Sequence, residues 1–301
     1  MLLALRMMAK IEVLPSSNNN NFHRDPRLQA LLQVNQLITA CAADPPSLLT
    51  LARVLLPSLS PINMATLLNR ISRLRLNSPE DRKLLLRDPR FTDLIARLPP
   101  LLPSTSPRAL ANIIHALSKL RYYPEEPLLE SLLEMMERHL PSFKPAELSM
   151  ATSGISRLLS TTSSSFSSSS SSTLPRPSFL LSLHAAIVPI FVVSANEGAR
   201  EGGREGGREG GKEEEGLLGS PHLALTLSAI VRLERGREGF GEGGVFRGEK
   251  KFLTLLAARA GERAGRMEEW ERVMVREGIA TLGGKVPEAL REGGRSERGR
   301  V

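Results

Sequence analysis

Apolar residues recur at helical spacing in three segments of the chain that align with one another without gaps. Each segment begins with proline and ends with leucine: Pro61–Leu74, Pro107–Leu120 and Pro145–Leu158. A fourth, more divergent segment, Ser220–Leu233, keeps the apolar positions and shifts the proline by one residue. Repetition of this kind indicates a chain built from stacked helical units. We call these the A segments and number their positions from 0 at the first residue.

The spacing of the A segments predicts the length of the repeat. They begin at residues 61, 107, 145 and 220, so the intervals are 46, 38 and 75 residues. Because 75 is close to twice 38, the intervals predict a basic period near 38. The longer first interval is explained by Ser78–Arg87, where a serine cap, a proline and two acidic residues predict a short additional helix.

Other apolar segments, bounded by prolines, lie between the A segments and predict the second helix, B, of each pair. Proline is favoured at the start of a helix and disrupts its interior, so it marks both ends. An earlier pair is expected to open at Asp25-Pro26 and to run through Ala42. One pair cannot bury its apolar faces alone, so neighbouring pairs must stack. The predicted B helices are Pro46–Leu56, Pro89–Leu102, Pro127–Leu140 and Pro177–Val188.

The expected fold is all-α, an α-solenoid of stacked antiparallel helix pairs with a period near 38 residues, interrupted by disordered low-complexity insertions. We divide the chain accordingly. The predicted parts are residues 1–24, a disordered N-terminus or partial targeting segment; 25–159, the helical-repeat solenoid; 160–176, a Ser-rich disordered insertion; 177–193, a helix completing a repeat; 194–219, a Glu-Gly-Arg low-complexity linker; 220–282, a degenerate repeat and capping helices; and 283–301, a disordered tail.

A helical wheel separates the faces of the A segments. Positions 3, 6, 7, 10 and 13 are apolar in the clear copies, apart from Thr152, and predict the core; positions 4 and 11 are alanine or serine, which allows helices to approach closely. Positions 1, 5, 8 and 12 form a separate surface, which we call the stripe, and position 12 is always a cation.

Cations repeated along the stripe suit successive RNA phosphates, and the polar side chains beside them suit base edges. Cations that merely complement the helix macrodipole would give the same recurrence without any ligand. The candidate RNA-binding residues on the stripe are Thr66, Asn69, Arg73, Asn112, His115, Lys119, Ser153, Arg157 and Arg232.

Composition agrees with a polyanionic partner. The chain carries 40 Lys and Arg against 32 Asp and Glu, a net charge of +8, and such a basic excess favours partners such as RNA. Cys41 is the only cysteine, which excludes an intrachain disulfide and a cysteine-based zinc site and indicates a reducing compartment. The longest apolar stretch, Leu183–Val193, is too short to cross a bilayer, so we expect a soluble protein with no membrane partner.

Sequence motifs of enzyme chemistry are absent. The sequence has no phosphate-binding loop, no zinc-protease motif and no nucleophile elbow, and its five histidines stand at spacings that do not suit a metal. Gly239–Gly244 matches G-x-G-x-x-G, but no strand precedes it and no helix opens directly on it. We therefore expect no enzymatic activity, no cofactor and no metal.

Residues 107–122 read Pro-Arg-Ala-Leu-Ala-Asn-Ile-Ile-His-Ala-Leu-Ser-Lys-Leu-Arg-Tyr. This sequence resembles the octotricopeptide-type (OPR) helical repeats of organellar proteins, and the related arrays of RAP-domain proteins, FAST-kinase-like proteins and the RNA-editing substrate-binding complex. The resemblance implies a non-catalytic RNA-binding protein of a mitochondrion or chloroplast, acting in RNA processing, stability or translation, with possible protein partners in a ribonucleoprotein complex. The alternative is a protein–protein interaction scaffold of TPR- or HEAT-like type, binding a peptide or partner along the same surface.

Overall fold

The computed structural model describes residues 26–41, 44–74, 76, 78–165, 179–187, 220–238, 246 and 249–291. Every regular element in these ranges is a helix, which confirms the predicted all-α class. The helices are α1 Pro26–Ala40, α2 Pro45–Leu55, α3 Pro61–Ser72, α4 Pro79–Arg87, α5 Pro89–Ala96, α6 Leu98–Leu101, α7 Pro107–Leu120, α8 Glu126–His139, α9 Pro145–Ser165, α10 at residues 179–187, α11 Ser220–Glu238, α12 Lys250–Arg263, α13 Glu269–Thr281 and α14 Glu288–Arg291.

Helices begin where a small polar side chain precedes a proline. Ser60, Ser78 and Ser106 cap α3, α4 and α7, and each hydroxyl accepts a hydrogen bond from the backbone N–H three residues later. Asp44 and Asp88 cap α2 and α5 with their carboxylates. Proline is tolerated directly after the cap, because the N–H that it lacks would have no partner within the helix. The additional helix predicted at 78–87 is confirmed as α4.

The described B helices agree with the prediction except in one case. α2 and α8 match it to within one residue at each end. The single helix predicted over residues 89–102 is wrong, because α5 ends at Ala96 and α6 restarts at Leu98. Pro99 and Pro100 have no N–H to donate to the carbonyls four residues earlier, so an unbroken helix cannot form there.

The core positions of the A helices are confirmed. Positions 3, 6, 7 and 10 are buried in α3, α7, α9 and α11, and so are positions 4 and 11, which hold alanine or serine except for Val231 of α11. At position 13 the leucines of α7, α9 and α11 are buried, while Leu74 is half-buried. The A helices therefore use a broad apolar face for the core and two narrow edges for their neighbours.

The chain divides into two compact units, Met1–Met135 and Met136–Val301. In the first unit α1 packs against α3, α3 against α7, and α2 against α5. The amide nitrogen of Asn63 donates to the Leu31 carbonyl at 3.1 Å and to Asn35 Oδ1 at 2.9 Å, while the guanidinium of Arg70 donates to the Thr39 carbonyl. Because residues early in α3 contact residues early in α1 and later ones contact later ones, the two helices are parallel.

In the second unit α9 packs against α11, α11 against α13, and α12 against α13 and α14. Ser149 Oγ donates to the His222 carbonyl at 3.0 Å near the starts of α9 and α11. Arg232 Nε donates to Ser156 Oγ at 3.1 Å, seven positions farther along α9, so these helices are also parallel. Ser149 and Ser156 occupy positions 4 and 11, which therefore form the edge that meets the next A helix.

The direct packing of α9 on α11 shows that the prediction of two 38-residue repeats within the 75-residue interval is wrong. Two neighbouring A helices lie at its ends, so the interval is one connection and not two periods of 38 residues. Only the interval from Pro107 to Pro145 has the predicted length. The two low-complexity segments lie within this one connection and lengthen it. The length of an interval alone does not distinguish a long connection from an additional repeat of divergent sequence.

Two predicted boundaries also differ from the structure. α9 continues to Ser165, past the predicted start of the Ser-rich insertion at residue 160, because extending a formed helix is far easier than nucleating one. The predicted tail begins too early, since Gly283, with φ of 84°, turns the chain back and Leu290 is buried. Residues 1–24, 166–178 and 194–219 lie outside the described residues, as do 292–301.

The last residues of α13 resemble an A segment. The predicted capping helices at 250–282 are present as α12 and α13, and α13 packs on α11. Residues 278–282, Gly-Ile-Ala-Thr-Leu, parallel residues 154–158, Gly-Ile-Ser-Arg-Leu. In this register Gly278 occupies position 9 and lies directly against the side chain of Leu227. The segment differs from the A segments because it lacks the initial proline and carries Arg272 and Arg276 at positions 3 and 7, which are apolar in most of the clear copies.

Candidate nucleic-acid interface

The stripe of the first unit is solvent-accessible at all four positions. On α3 and α7 the polar residues at positions 5 and 8, Thr66, Asn69, Asn112 and His115, are half-buried, and the cations at position 12, Arg73 and Lys119, are exposed. The Thr66 hydroxyl donates to the Ile62 carbonyl of its own helix at 2.9 Å, so its proton is already used. The remaining side chains provide amides, an imidazole and two cations on adjacent packed helices.

The C-terminal end of α7 adds two residues that the stripe did not include. Arg121 has a left-handed backbone with φ of 54°, and the Tyr122 N–H donates to the Leu117 carbonyl at 3.0 Å. This hydrogen bond turns Tyr122 inward, where its ring and that of Phe91 form an edge-to-face pair with 5.6 Å between the ring centroids. Burial raises the pKa of the Tyr122 phenol. Arg121 and the next residue, Tyr123, remain exposed. A cation beside an exposed aromatic ring is a combination found in single-stranded RNA sites.

The second unit departs from the predicted stripe at two residues. Arg157 is exposed at position 12 of α9, as expected. Ser153, at position 8 of the same helix, is 4% exposed, so the expectation of a surface residue is wrong there. Arg232, at position 12 of α11, is half-buried and reaches across to Ser156 of α9. The departure of Arg232 arises from this contact between α11 and α9, which a wheel drawn for one helix could not show.

Two serine hydroxyls hold the guanidinium of Arg232. Its Nε donates to Ser156 Oγ at 3.1 Å, and its Nη1 donates to Ser228 Oγ at 2.9 Å, one turn earlier on its own helix. The Ser156 hydroxyl in turn donates to the Ser153 carbonyl at 3.0 Å. Burial, and secondly the nearby charge of Arg157, lower the pKa of Arg232 from its ordinary value. The guanidinium stays charged, because even a perturbed arginine pKa remains far above neutrality.

No known protein-family model matches this chain, and no curated protein matches it either. The assignment of a function therefore rests on the residues themselves. Within the described ranges, no helix is both long and apolar enough to cross a membrane. The same part of the chain contains no group of three or more His, Cys, Asp or Glu side chains placed to hold a metal ion.

Proposed function

We propose that this protein is a non-catalytic RNA-binding α-solenoid of an organelle, with the A helices stacked side by side and the stripe as the RNA-binding surface. The proposal includes a role in RNA processing, stability or translation in a mitochondrion or chloroplast, on the strength of the resemblance to octotricopeptide-type repeats. Support from the structure comes from the parallel packing of α1 with α3 and of α9 with α11, since parallel neighbours carry equivalent positions along a common surface.

One observation carries the proposal, and it concerns the position of the cations within their helices. A cation that only complements the macrodipole must lie within the last turn of its helix. Arg157 lies eight residues before the end of α9 at Ser165, and Arg232 lies six residues before the end of α11 at Glu238. The macrodipole therefore does not explain the cation of either helix. The hydrogen bonds of Arg232 to Ser156 and Ser228 account for that residue, whereas for Arg157, which is exposed, contact with a polyanion is a cause that fits its position.

The test is the salt dependence of binding to a pool of single-stranded RNA, measured by filter retention. Each phosphate contact contributes about −0.7 to the slope of log affinity against log salt for single strands. Replacing Arg73, Lys119 and Arg157 together by alanine should flatten the slope by about two units. A matched triple variant, Arg53→Ala, Lys83→Ala and Arg97→Ala, removes the same charge from exposed positions on other helices. We expect it to keep most of the slope.

Two outcomes would contradict the proposal. Absence of salt-sensitive RNA retention by the intact chain would leave the protein-interaction scaffold as the better assignment. Equal losses in the two triple variants would show that net charge alone attracts RNA, because both variants lower the net charge of +8 by the same amount.

A further inference from the structure

A cavity of about 800 Å³ lies in the second unit, lined by α12, the turn at residues 283–287 and α14. Its apolar lining includes Leu253 and Ala258 of α12 and Val286 and Pro287 of the turn. Cavities that bind small molecules have volumes of about 300–1,000 Å³ and combine apolar walls with a few polar groups. The size of this cavity therefore suits an organic molecule better than a bare ion.

The turn that lines the cavity is held in place by close packing. The Gly284 N–H donates to the Ile279 carbonyl at 2.8 Å. A Cβ on Gly284 would lie 2.9 Å from Ile279 Cγ2 and 3.3 Å from Leu253 Cδ2, so the backbone of the turn packs directly on α13 and α12. The cavity is therefore part of the packed fold of the second unit.

Three cations from three different elements line the cavity. Lys250 is the first residue of α12, Lys285 lies in the turn and Arg291 ends α14, and all three are exposed. None of them forms an ion pair with a carboxylate in the part of the chain that the structure describes. Glu288 is the one acidic residue of the lining, so three cations against one acid give the cavity a net charge of +2. Solvent reaches these cations, and they are available to an anionic ligand.

The position of Lys250 is unfavourable for its own helix. The N-terminus of a helix carries a partial positive charge, so a cation there is destabilising. The first turn of α12 contains no acidic residue to offset it. The carboxylate of Glu249, which caps α12, accepts a hydrogen bond from the Phe252 N–H, and its Oε2 lies 3.9 Å from His184 Nε2. Helix stability therefore does not account for Lys250, whereas an anion in the cavity would.

We propose that this cavity binds a nucleoside monophosphate, with Lys250, Lys285 and Arg291 contacting the phosphate and the apolar lining receiving the nucleoside. A phosphate monoester carries a charge of about −1.5 to −2 at pH 7, which matches the charge of the cavity better than a single carboxylate does. A nucleobase presents an apolar face, which a sugar phosphate lacks. The inference goes beyond the proposed function, because no residue of the stripe lines the cavity.

Isothermal titration calorimetry of the intact chain with adenosine monophosphate (AMP) tests the site. Inorganic phosphate and adenosine serve as the two halves of the probe. AMP should bind saturably and at least about tenfold more tightly than either half, because each half leaves the cations or the apolar lining without a partner. Absence of saturable AMP binding would overturn the inference. Equal affinities for AMP and inorganic phosphate would also overturn it, since the apolar lining would then contribute nothing.

Charge substitutions predict effects of opposite sign. Lys285→Gln should weaken AMP binding about threefold, and Glu288→Gln, which removes the one acid of the lining, should tighten it about threefold. Glu277→Gln is the matched control, because it removes an equal charge from an exposed position of α13 outside the cavity. Its affinity should stay close to that of the wild-type protein, because salt screens distant exposed charges. Equal effects of the two glutamate substitutions would show a response to net charge alone and would contradict the site.

A steric substitution locates the ligand. Ala258→Trp places a large side chain in the cavity from an exposed position of α12, and Ala280→Trp makes the same change at an exposed position of α13 outside it. Both variants should keep the Tm of the wild-type protein, and only Ala258→Trp should lose AMP binding. Ala258→Trp should also keep the salt-sensitive RNA retention of the stripe, so failure of the nucleotide site and failure of the proposed function are separate results.

Competition with AMP identifies the source of the nucleotide. Nucleoside monophosphate chemistry occurs in free nucleotides and at the phosphorylated 5′ end of an RNA. Competition by a 5′-phosphorylated oligoribonucleotide, but not by its 5′-hydroxyl counterpart, would assign the cavity to an RNA end. Failure of both to compete would assign it to a free nucleotide, and equal competition by both would contradict recognition of a phosphate monoester.

Discussion

Replacing Gly278 by alanine should destabilise the second unit, although alanine is the better helix former. Gly278 lies in α13 at its contact with α11. An added Cβ would come within 2.5 Å of Leu227 Cγ and 2.6 Å of Leu227 Cδ2. The branch point of a buried leucine cannot swing away as the tip of a long side chain can. The neighbouring helices must therefore separate, or Leu227 must leave its preferred rotamer.

Two opposing free-energy terms determine the size of the effect. Alanine in place of glycine within a helix stabilises by about 0.5–1 kcal/mol, and overpacking a dense core costs about 1–3 kcal/mol. Because contacts of 2.5 and 2.6 Å favour the upper part of the overpacking range, we expect a net loss of up to about 2.5 kcal/mol in the free energy of unfolding. Gly261→Ala in α12 is the matched control, since its Cβ would meet Pro287 Cβ at an ordinary 3.5 Å. That variant should gain about 0.5–1 kcal/mol.

Urea unfolding followed by tryptophan fluorescence measures this difference. Trp270 is the only tryptophan of the chain and lies in α13, where it is 48% exposed. The Leu227→Ala variant removes the atoms that the new Cβ would meet, so Gly278→Ala should no longer be destabilising in that background. A stabilising Gly278→Ala, or an effect unchanged by Leu227→Ala, would refute the close packing of Gly278 against Leu227.

Two further predictions concern the first unit. Asn63→Ala removes the buried hydrogen bonds to Leu31 and Asn35 and should lower the unfolding free energy by about 1–3 kcal/mol, whereas Asn69→Ala on the stripe should change it by less than about 0.5 kcal/mol in the same urea titration. The hydrogen bond from Arg90 lowers the pKa of Asp88, so this group stabilises the fold above the ordinary aspartate pKa, near 3.9, and the contribution is lost as pH falls through the lower folded value. Asp88→Asn, which retains a capping side chain, should therefore lose less stability than the wild-type protein between pH 5 and pH 2; equal acid sensitivity would contradict this assignment.

Local rules were sufficient to predict the starts and the buried faces of the A helices. Serine before proline determines the first residue of α3, α4 and α7, and the wheel identifies the buried positions of the A helices, because both depend on interactions within one helix. The missing N–H groups of Pro99 and Pro100 also predict the break between α5 and α6. The continuous apolar pattern of residues 89–102 instead favoured a single helix. These features follow from residues close together in the chain.

Features that depend on a neighbouring helix were not predictable in the same way. The orientation of Arg232 depends on its contact with Ser156 of α9, which joins residues 76 apart in sequence. The RNA-binding role of the stripe remains a prediction for the same reason, since a wheel shows which residues share a face and not what covers them. Arg121 and Tyr123 could have been noticed as a cation and an aromatic residue directly after the A segment.

The long connection between α9 and α11 has a consequence for how this sequence can vary among individuals or related strains. Ser149 and His222 are in contact although 73 residues separate them, and that interval contains the Glu-Gly-Gly-Arg tetrads. The entropic cost of closing a connecting segment rises by only about 0.6 kcal/mol for each doubling of its length. Gain or loss of whole tetrads keeps the reading frame and changes that cost by a small fraction of this amount. Length polymorphism at this point should therefore be nearly neutral, whereas a single added methyl group at Gly278 should not.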